Sequence, residues 1–154
     1  MTTARLFNRF ILLAGLAAVL PASADGGPPS AHSDDPDYRA AVAAIEAADF
    51  DRAAALLERY TAHRQDDASA WNWLGYASRK RGDLNAAFAH YDKALKLDPD
   101  HRGAREYLGE AHLMAGNLAA AEEQLRILDR LCWLPCEEYR DLKKAIAAHK
   151  AATR

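Results

Sequence analysis

The sequence has no apolar run long enough to cross a membrane and no excess of basic residues. Its longest apolar stretch covers residues 10–20, whereas a membrane-spanning helix needs roughly 20 residues. Lys and Arg together number 20 against 22 Asp and Glu, and nucleic-acid binding requires clustered basic side chains that displace counterions. We therefore predict a chain that does not bind nucleic acid and is not stably inserted in a membrane.

The motifs of common enzymes and metal sites are also missing. The chain contains no G-x-S-x-G, no P-loop and no H-E-x-x-H sequence, which mark nucleophile, phosphate and zinc sites respectively. Six histidines are scattered without the spacing of metal ligands, and only two cysteines occur, whereas a structural zinc site uses four ligands. The prediction is a protein that is not an enzyme and that carries no cofactor and no metal.

Residues 1–24 have the layout of a secretory signal. Arg5 and Arg9 precede the apolar run, and small residues end it at Ala24, so cleavage is expected after Ala24. Residues 25–35 are rich in Gly, Pro, Ser and Asp and predict a flexible leader, because such a segment buries little apolar surface. We expect a periplasmic or secreted protein. Retention of residues 1–24 as an anchor is the alternative.

Beyond the leader, similar residue types recur every 34 positions. A period of this length is typical of a unit of two antiparallel helices joined by a tight turn. In the second and third units, Gly suits the left-handed end of one helix, and Asp or Asn suits the N-cap of the next. The aligned positions are Ala48, Gly82 and Gly116; Asp49, Asp83 and Asn117; Ala53, Ala87 and Ala121; and Leu57, Tyr91 and Leu125.

The middle unit carries a known pattern of residues. Its members are Trp71, Leu74, Gly75, Ala87, Tyr91, Ala94 and Pro99. In these residues the chain resembles the tetratricopeptide repeat family. The resemblance implies an all-α fold, a right-handed α-solenoid of three helix-turn-helix repeats at about residues 34–67, 68–101 and 102–135. The outer repeats are more degenerate, with Ala48 in place of the turn glycine and Arg105 in place of the tryptophan.

A seventh helix is predicted over residues 137–150. Apolar residues recur there at helical spacing in Tyr139, Leu142 and Ile146, with acids first and a base last, as suits the helix dipole. A solenoid needs a terminal element that covers the apolar face of its last repeat. We therefore predict a capping helix that completes a repeat domain over residues 36–150.

The two cysteines, Cys132 and Cys136, lie between the third repeat and the capping helix. In an oxidising compartment we predict a structural disulfide, because Pro135 breaks the helix and lets the two thiols approach. A loop this small would add about 2 kcal/mol of stability through chain entropy. The spacing is not the C-x-x-C of thioredoxin-like sites. Redox or metal chemistry at the two thiols is the alternative.

The resemblance also implies a partner-binding surface, because first-helix residues line the concave face in this family. These residues are Tyr38, Val42, Ile45, Asn72, Tyr76, Arg79, Lys80, Glu106, Glu110 and Met114. Their mixed charge suits a peptide that carries both signs, and a merely solvated face is the alternative. Val42 and Trp73 stand where the family's carboxylate clamp needs Asn, so we do not expect carboxylate clamping.

The three tryptophans, Trp71, Trp73 and Trp133, could grip a ligand or pack in the core. Trp71 occupies the core position of the family, and the other two flank packing positions. We predict that all three pack in the core.

These patterns together predict a non-catalytic scaffold or adaptor of the bacterial cell envelope that binds a segment of another protein on its concave face. Two other functions stay open. One is a periplasmic chaperone-like subunit in cytochrome c maturation or envelope assembly, and the other is a thiol redox protein that uses Cys132 and Cys136. The open edges of a three-repeat solenoid also allow a homodimer.

Overall fold

Residues 35–153 are described by a computed structural model, and they form seven α-helices without a β-strand. The helices are α1 (Pro36–Glu46), α2 (Phe50–His63), α3 (Ala68–Lys80), α4 (Leu84–Leu97), α5 (Arg102–Met114), α6 (Leu118–Leu131) and α7 (Glu137–Ala152). The all-α solenoid predicted from the sequence is confirmed. The signal segment and nearly all of the leader lie outside the described residues. In the described part, no helix combines the length and the apolar character that crossing a membrane requires.

Six of the seven described helices begin where a side chain accepts a free N–H group of the first turn, whereas α7 has no side-chain cap. Asp49, Asp67, Asp83 and Asn117 each accept a bond from the backbone N–H three residues further on, as predicted for Asp83 and Asn117. Asp35 caps α1 in the same way, accepting from two backbone N–H groups. Helix α1 thus begins at Pro36, and its cap Asp35 is the last residue of the predicted leader.

The turns inside the repeats use the left-handed backbone conformation. Gly82 has φ 86° and Gly116 has φ 75°, values that glycine adopts without steric cost. Ala48 occupies the equivalent position of the first repeat with φ 57°, and its Cβ makes this conformation unfavourable.

Replacing Ala48 by Gly is expected to raise the free energy of unfolding by about 0.5–1 kcal/mol. Relief of the left-handed strain, roughly 1–2 kcal/mol, exceeds the added entropy of the unfolded chain, about 0.4–1 kcal/mol. Urea unfolding followed by circular dichroism would measure the change. Gly82→Ala is the matched reverse substitution, because nothing lies within 4 Å of the added Cβ, and it should destabilise. Destabilisation by Ala48→Gly would contradict the left-handed assignment.

The seven helices of the described chain stack in chain order, and α5 also contacts α3 and α7. Three helical hairpins, α1 with α2, α3 with α4, and α5 with α6, pack side by side. Helix α7 then packs against both α5 and α6. Direct contacts of α3 with α5 and of α5 with α7 place these odd-numbered helices along one face of the solenoid.

Close helix contacts in the core depend on small residues. A Cβ on Gly75 would lie 2.6 Å from ring carbons of the fully buried Tyr91, and a Cβ on Gly109 would lie 2.6 Å from the methyl carbons of Leu142. Both distances are shorter than van der Waals contact allows. The glycines of the repeat pattern therefore bring neighbouring helices within packing distance, and Leu142 anchors α7 against the third repeat.

The connection between α6 and α7 turns out to be exposed. Cys132 and Cys136 form a disulfide there, with Cα atoms 5.8 Å apart. Trp133 is 98% exposed and Leu134 is 74% exposed. The prediction that Trp133 packs in the core is therefore wrong, because α6 ends at Leu131 and no helix of the described chain covers the loop.

The other two tryptophans do pack against their neighbours. Trp71 stacks on His90 with ring centroids 5.7 Å apart, and its indole N–H donates to the carbonyl oxygen of Gln65 at 3.0 Å. Trp73 packs against the N-terminal core cluster and also lines a surface hollow.

Candidate functional site

The odd-numbered helices line two hollows on one face of the solenoid. The N-terminal hollow, near the N-terminal ends of α3, α5 and α7, has a volume of about 460 Å³. Its lining includes Tyr38, Asn72, Trp73, Glu106 and Tyr107. It receives side chains from four helices that are far apart in sequence, so it exists only in the assembled solenoid.

The C-terminal hollow, near the C-terminal ends of α3 and α5, has a volume of about 400 Å³. Arg79, Lys80, Glu110 and Met114 contribute to its lining, together with His149 of α7. Met114 is 54% exposed, so an apolar side chain is open to solvent here. The two hollows together are called the groove below.

Aromatic rings and one ion pair separate the two hollows. The ring of Tyr76 lies 4.9 Å from that of Tyr107 and 5.6 Å from that of Trp73, centroid to centroid. The guanidinium of Arg79 stacks over Tyr76 and Tyr107 at 5.3 and 5.5 Å and pairs with the carboxylate of Glu110 at 2.7 Å. Because Arg79 is only 6% exposed and is paired with Glu110, little of its positive charge is available to a bound molecule.

The structure brings together most of the residues predicted to bind a partner. Three of them, Tyr38, Asn72 and Glu106, line the N-terminal hollow, and four line the C-terminal one. The other three predicted residues line neither hollow. Val42 is half-buried, Ile45 packs against the N-terminal core, and the ring of Tyr76 lies beside those of Trp73 and Tyr107.

Several groove residues were missed by the sequence prediction. Trp73 and Tyr107 lie 34 positions apart, so aligning the repeats could have found them as a recurring aromatic pair. The acids Glu137, Glu138 and Asp141 also line the N-terminal hollow. They belong to α7, outside the repeats, and Glu137 and Glu138 suit a helix N-terminus equally well, so the repeat pattern could not identify them as site residues.

Two buried polar groups of the N-terminal hollow lack partners. Asn72 is 5% exposed, and its Oδ1 has no hydrogen-bond partner among the described residues. Glu106 is 9% exposed. Burial, followed by the nearby carboxylates of Glu110, Asp141 and Glu138, raises the pKa of Glu106 to about 8. The hollow thus holds one unused acceptor and one carboxyl group that resists ionisation.

Glu106→Gln is expected to remove a loss of stability that the wild-type chain undergoes as the pH rises. The pKa of Glu106 is about 8 in the folded chain and 4.5 ordinarily. The folded state therefore holds a proton that the unfolded state releases, and the free energy of unfolding falls between pH 4.5 and about 8. Gln cannot ionise and avoids this loss.

Urea unfolding at pH 5 and pH 8 would test this expectation. The ratio of the two unfolding free energies should be closer to one for Glu106→Gln than for wild type. The exposed Glu46 of α1 gives a matched control, Glu46→Gln, which should behave like wild type. Equal pH dependence for all three chains would contradict a raised pKa at Glu106.

His101 lines the same hollow but brings little positive charge. Its Nδ1 accepts the N–H of Ala104 at 3.1 Å and so caps α5. Burial is the main cause that lowers its pKa, which favours the neutral imidazole near pH 7. In residues 35–153, no group of three or more His, Cys, Asp or Glu side chains is arranged to hold a metal ion.

Two sequence profiles described as tetratricopeptide repeat match residues 38–101 and 78–130. Together they span more than half of the chain. The chain belongs to the tetratricopeptide repeat family. A 64-residue stretch of the chain is 38% identical to the probable biofilm formation methyltransferase WspC of Pseudomonas putida. That stretch is 42% of this chain and only 15% of WspC, so the likeness concerns a small part of that protein.

Several solved structures share most of this helical architecture. The type III secretion translocator chaperone SycD of Yersinia enterocolitica has a TM-score of 0.68 at 18% identity, over 76% of this chain and 83% of SycD. SycD in complex with a peptide of the translocator YopD gives 0.65 at 18% identity, over 77% and 92%. PcrH bound to the chaperone-binding region of PopD gives 0.67 at 19% identity, over 77% and 91%. At these identities the likeness shows the fold.

Proposed function

We propose that this chain is a non-catalytic adaptor that binds a segment of another protein in the groove. The observation that carries the proposal is the N-terminal hollow, with its aromatic lining and the unpaired Oδ1 of Asn72. A buried acceptor without a partner costs about 1–3 kcal/mol. A bound segment whose donor reached this atom would recover that free energy.

The fold relatives support binding of a protein segment. In these structures SycD is bound to a peptide of the translocator YopD, and PcrH is bound to the chaperone-binding region of PopD. The groove of this chain also has the composition of a peptide site, since aromatic rings supply contact area and a few polar groups fix orientation. Binding, rather than catalysis, is therefore the proposed activity.

We propose the bacterial cell envelope as the location, on the secretory layout of residues 1–24. The Cys132–Cys136 disulfide fits an oxidising compartment, where it would act as a structural link between α6 and α7. Neither cysteine lines the groove. Nothing in the groove favours haem-protein chains over other segments, so cytochrome c maturation is not put forward.

Selection of random peptides displayed on phage against the full chain would test the proposal. Selected peptides should lose at least tenfold in affinity, measured by fluorescence anisotropy, for the double variant Lys80→Ala, Met114→Ala. Both side chains are exposed and lie in the groove, so their loss should leave the fold intact.

The double variant Lys96→Ala, Leu97→Ala is the matched control. It also removes one exposed lysine and one exposed apolar side chain, but from α4, outside the groove. It should keep wild-type affinity. Failure to select any peptide, or equal affinity for both double variants, would contradict binding in the groove.

A further inference from the structure

We propose that the N-terminal hollow receives a basic side chain, Lys or Arg, of the bound segment. This inference rests on the proposed function, because it assigns the chemistry of one part of the same groove. Three independent features of the hollow support it: its charge, its unused hydrogen-bond acceptor and its aromatic lining.

The charge of the lining is strongly one-sided. Four acidic side chains, Glu106, Glu137, Glu138 and Asp141, line the hollow, and no Lys or Arg of the described residues does. Arg102 is the nearest paired cation, with its Nε 3.7 Å from Glu138, and it offsets one of these acids. A positive group entering the hollow would meet the negative charge of Glu137 and Asp141, whereas Glu106, whose pKa is raised to about 8, is largely uncharged near pH 7.

The charged side chains around Glu106 add no free positive charge to the hollow. Glu110 acts on Glu106 from α5, and Asp141 and Glu138 act from α7, all as like charges. Arg79 of α3 is the opposing charge, but its guanidinium is already paired with Glu110 at 2.7 Å. Glu106 itself has no hydrogen bond or ion pair within residues 35–153.

The side-chain oxygen of Asn72 is an acceptor in the hollow that lacks a hydrogen-bond donor. Asn72 is more than nine-tenths buried, and its Oδ1 has no partner in the described chain. An ammonium or guanidinium group carries only donors, whereas a carboxylate carries only acceptors. A basic side chain can therefore satisfy Asn72 and approach the acids at once, and an acidic one can do neither.

The aromatic lining suits the rest of such a side chain. Tyr38, Trp73 and Tyr107 surround the hollow, and aromatic faces attract cations within about 6 Å of the ring centroid. The protein already packs a guanidinium in this way, with Arg79 stacked over Tyr107 at 5.5 Å. A volume of about 460 Å³ leaves room for the alkyl stem of a long side chain.

Proton release should accompany binding. Burial and neighbouring acids raise the pKa of Glu106 to about 8, and a bound cation would lower it again. Affinity for a basic segment should therefore increase from pH 6 to pH 8. A neutral segment should show no such increase.

The groove-binding peptides from the phage selection serve as probes. Each is synthesised with its Lys or Arg and again with norleucine or citrulline at that position, and affinities are measured for the full chain at pH 6 and pH 8. The test variant is Glu106→Gln, Asp141→Asn, and the matched control is Glu46→Gln, Asp129→Asn on exposed positions of α1 and α6. Circular dichroism checks that each chain is folded.

Replacing the basic residue of a peptide by its neutral analogue should lower the affinity at least tenfold for wild type and for the control variant. The loss of affinity should be much smaller for the test variant. Peptides that bind the groove without requiring a basic residue would overturn this inference and leave the proposed function standing. A basic requirement that persists unchanged in the test variant would also overturn it. Absence of any groove-dependent peptide would overturn both proposals.

Discussion

Replacing Tyr91 by Ala should lower the free energy of unfolding by about 3–5 kcal/mol, the range found when large aromatic side chains are removed from a core. Tyr91 lies on α4, is 0% exposed and belongs to the central core cluster with Ala87, Leu108 and Ala111. Its ring packs directly on Gly75 of α3. The substitution would leave a cavity between the two helices of the middle repeat, on which both outer repeats pack.

Two controls separate the ring from other effects in urea unfolding. Tyr91→Phe keeps the ring and should cost far less than Tyr91→Ala, because the hydroxyl only accepts a long bond, 3.4 Å, from the Nε of Arg79. Asp92→Ala changes the exposed neighbour of Tyr91 and should stay within about 0.5 kcal/mol of wild type. A loss at Tyr91→Ala no larger than at Asp92→Ala would contradict the central packing of the ring.

Leu142→Ala should cost about 2–5 kcal/mol in the same measurement. Leu142 is 0% exposed and, with Ile146, attaches α7 to the core formed by Leu113, Ala121 and Leu128. Its removal should loosen α7 against the third repeat. Since α7 also carries acids of the N-terminal hollow, binding of a basic segment should weaken together with stability.

A control and a double variant sharpen this test. Lys144→Ala alters an exposed position on α7 and should have little effect. Gly109→Ala alone should destabilise by about 1–3 kcal/mol through overpacking, since its Cβ would lie 2.6 Å from Leu142. In the double variant Gly109→Ala, Leu142→Ala, the added methyl group partly fills the cavity left by Leu142. The loss of unfolding free energy should therefore be smaller than the sum of the losses in the two single variants. Strict additivity would contradict the close approach of these two residues.

Much of the fold could be predicted from the sequence because each part depends on local chemistry. The 34-residue period fixed the number of repeats, and Asp83 and Asn117 marked helix starts that the structure places at Leu84 and Leu118. Gly82 and Gly116 marked turns that require the left-handed backbone. Capping and turn geometry involve neighbours within a few residues, so they can be recognised without knowing the tertiary structure.

The groove was predictable only where it followed the repeat. Asn72 and Glu106 hold equivalent positions, 34 residues apart, and both line the N-terminal hollow. The family resemblance was sufficient to place them. The lack of hydrogen-bond partners for these two buried side chains was not predictable, because it depends on which side chains of the neighbouring helices pack next to them.

The exposed loop after α6 was predicted wrongly for a physical reason. Trp133 looks like a core residue by composition, since large aromatic side chains are usually buried. Burial needs a second element to cover the ring, and the connection that contains Cys132 and Cys136 has none within the described chain. An expectation based on residue type and on neighbouring packing positions therefore failed in this loop.

The sequence by itself determined the helices, most of their caps, the repeat and the resemblance to the tetratricopeptide repeat family, because these follow from periodicity and short-range bonding. Only the tertiary structure decided the charge and chemistry of the groove. Asn72 and Glu106 come from the repeats, whereas Glu138 and Asp141 come from α7, and their electrostatic effect arises when the helices pack. Long-range packing sets burial, and burial sets both the pKa of Glu106 and the missing partner of Asn72.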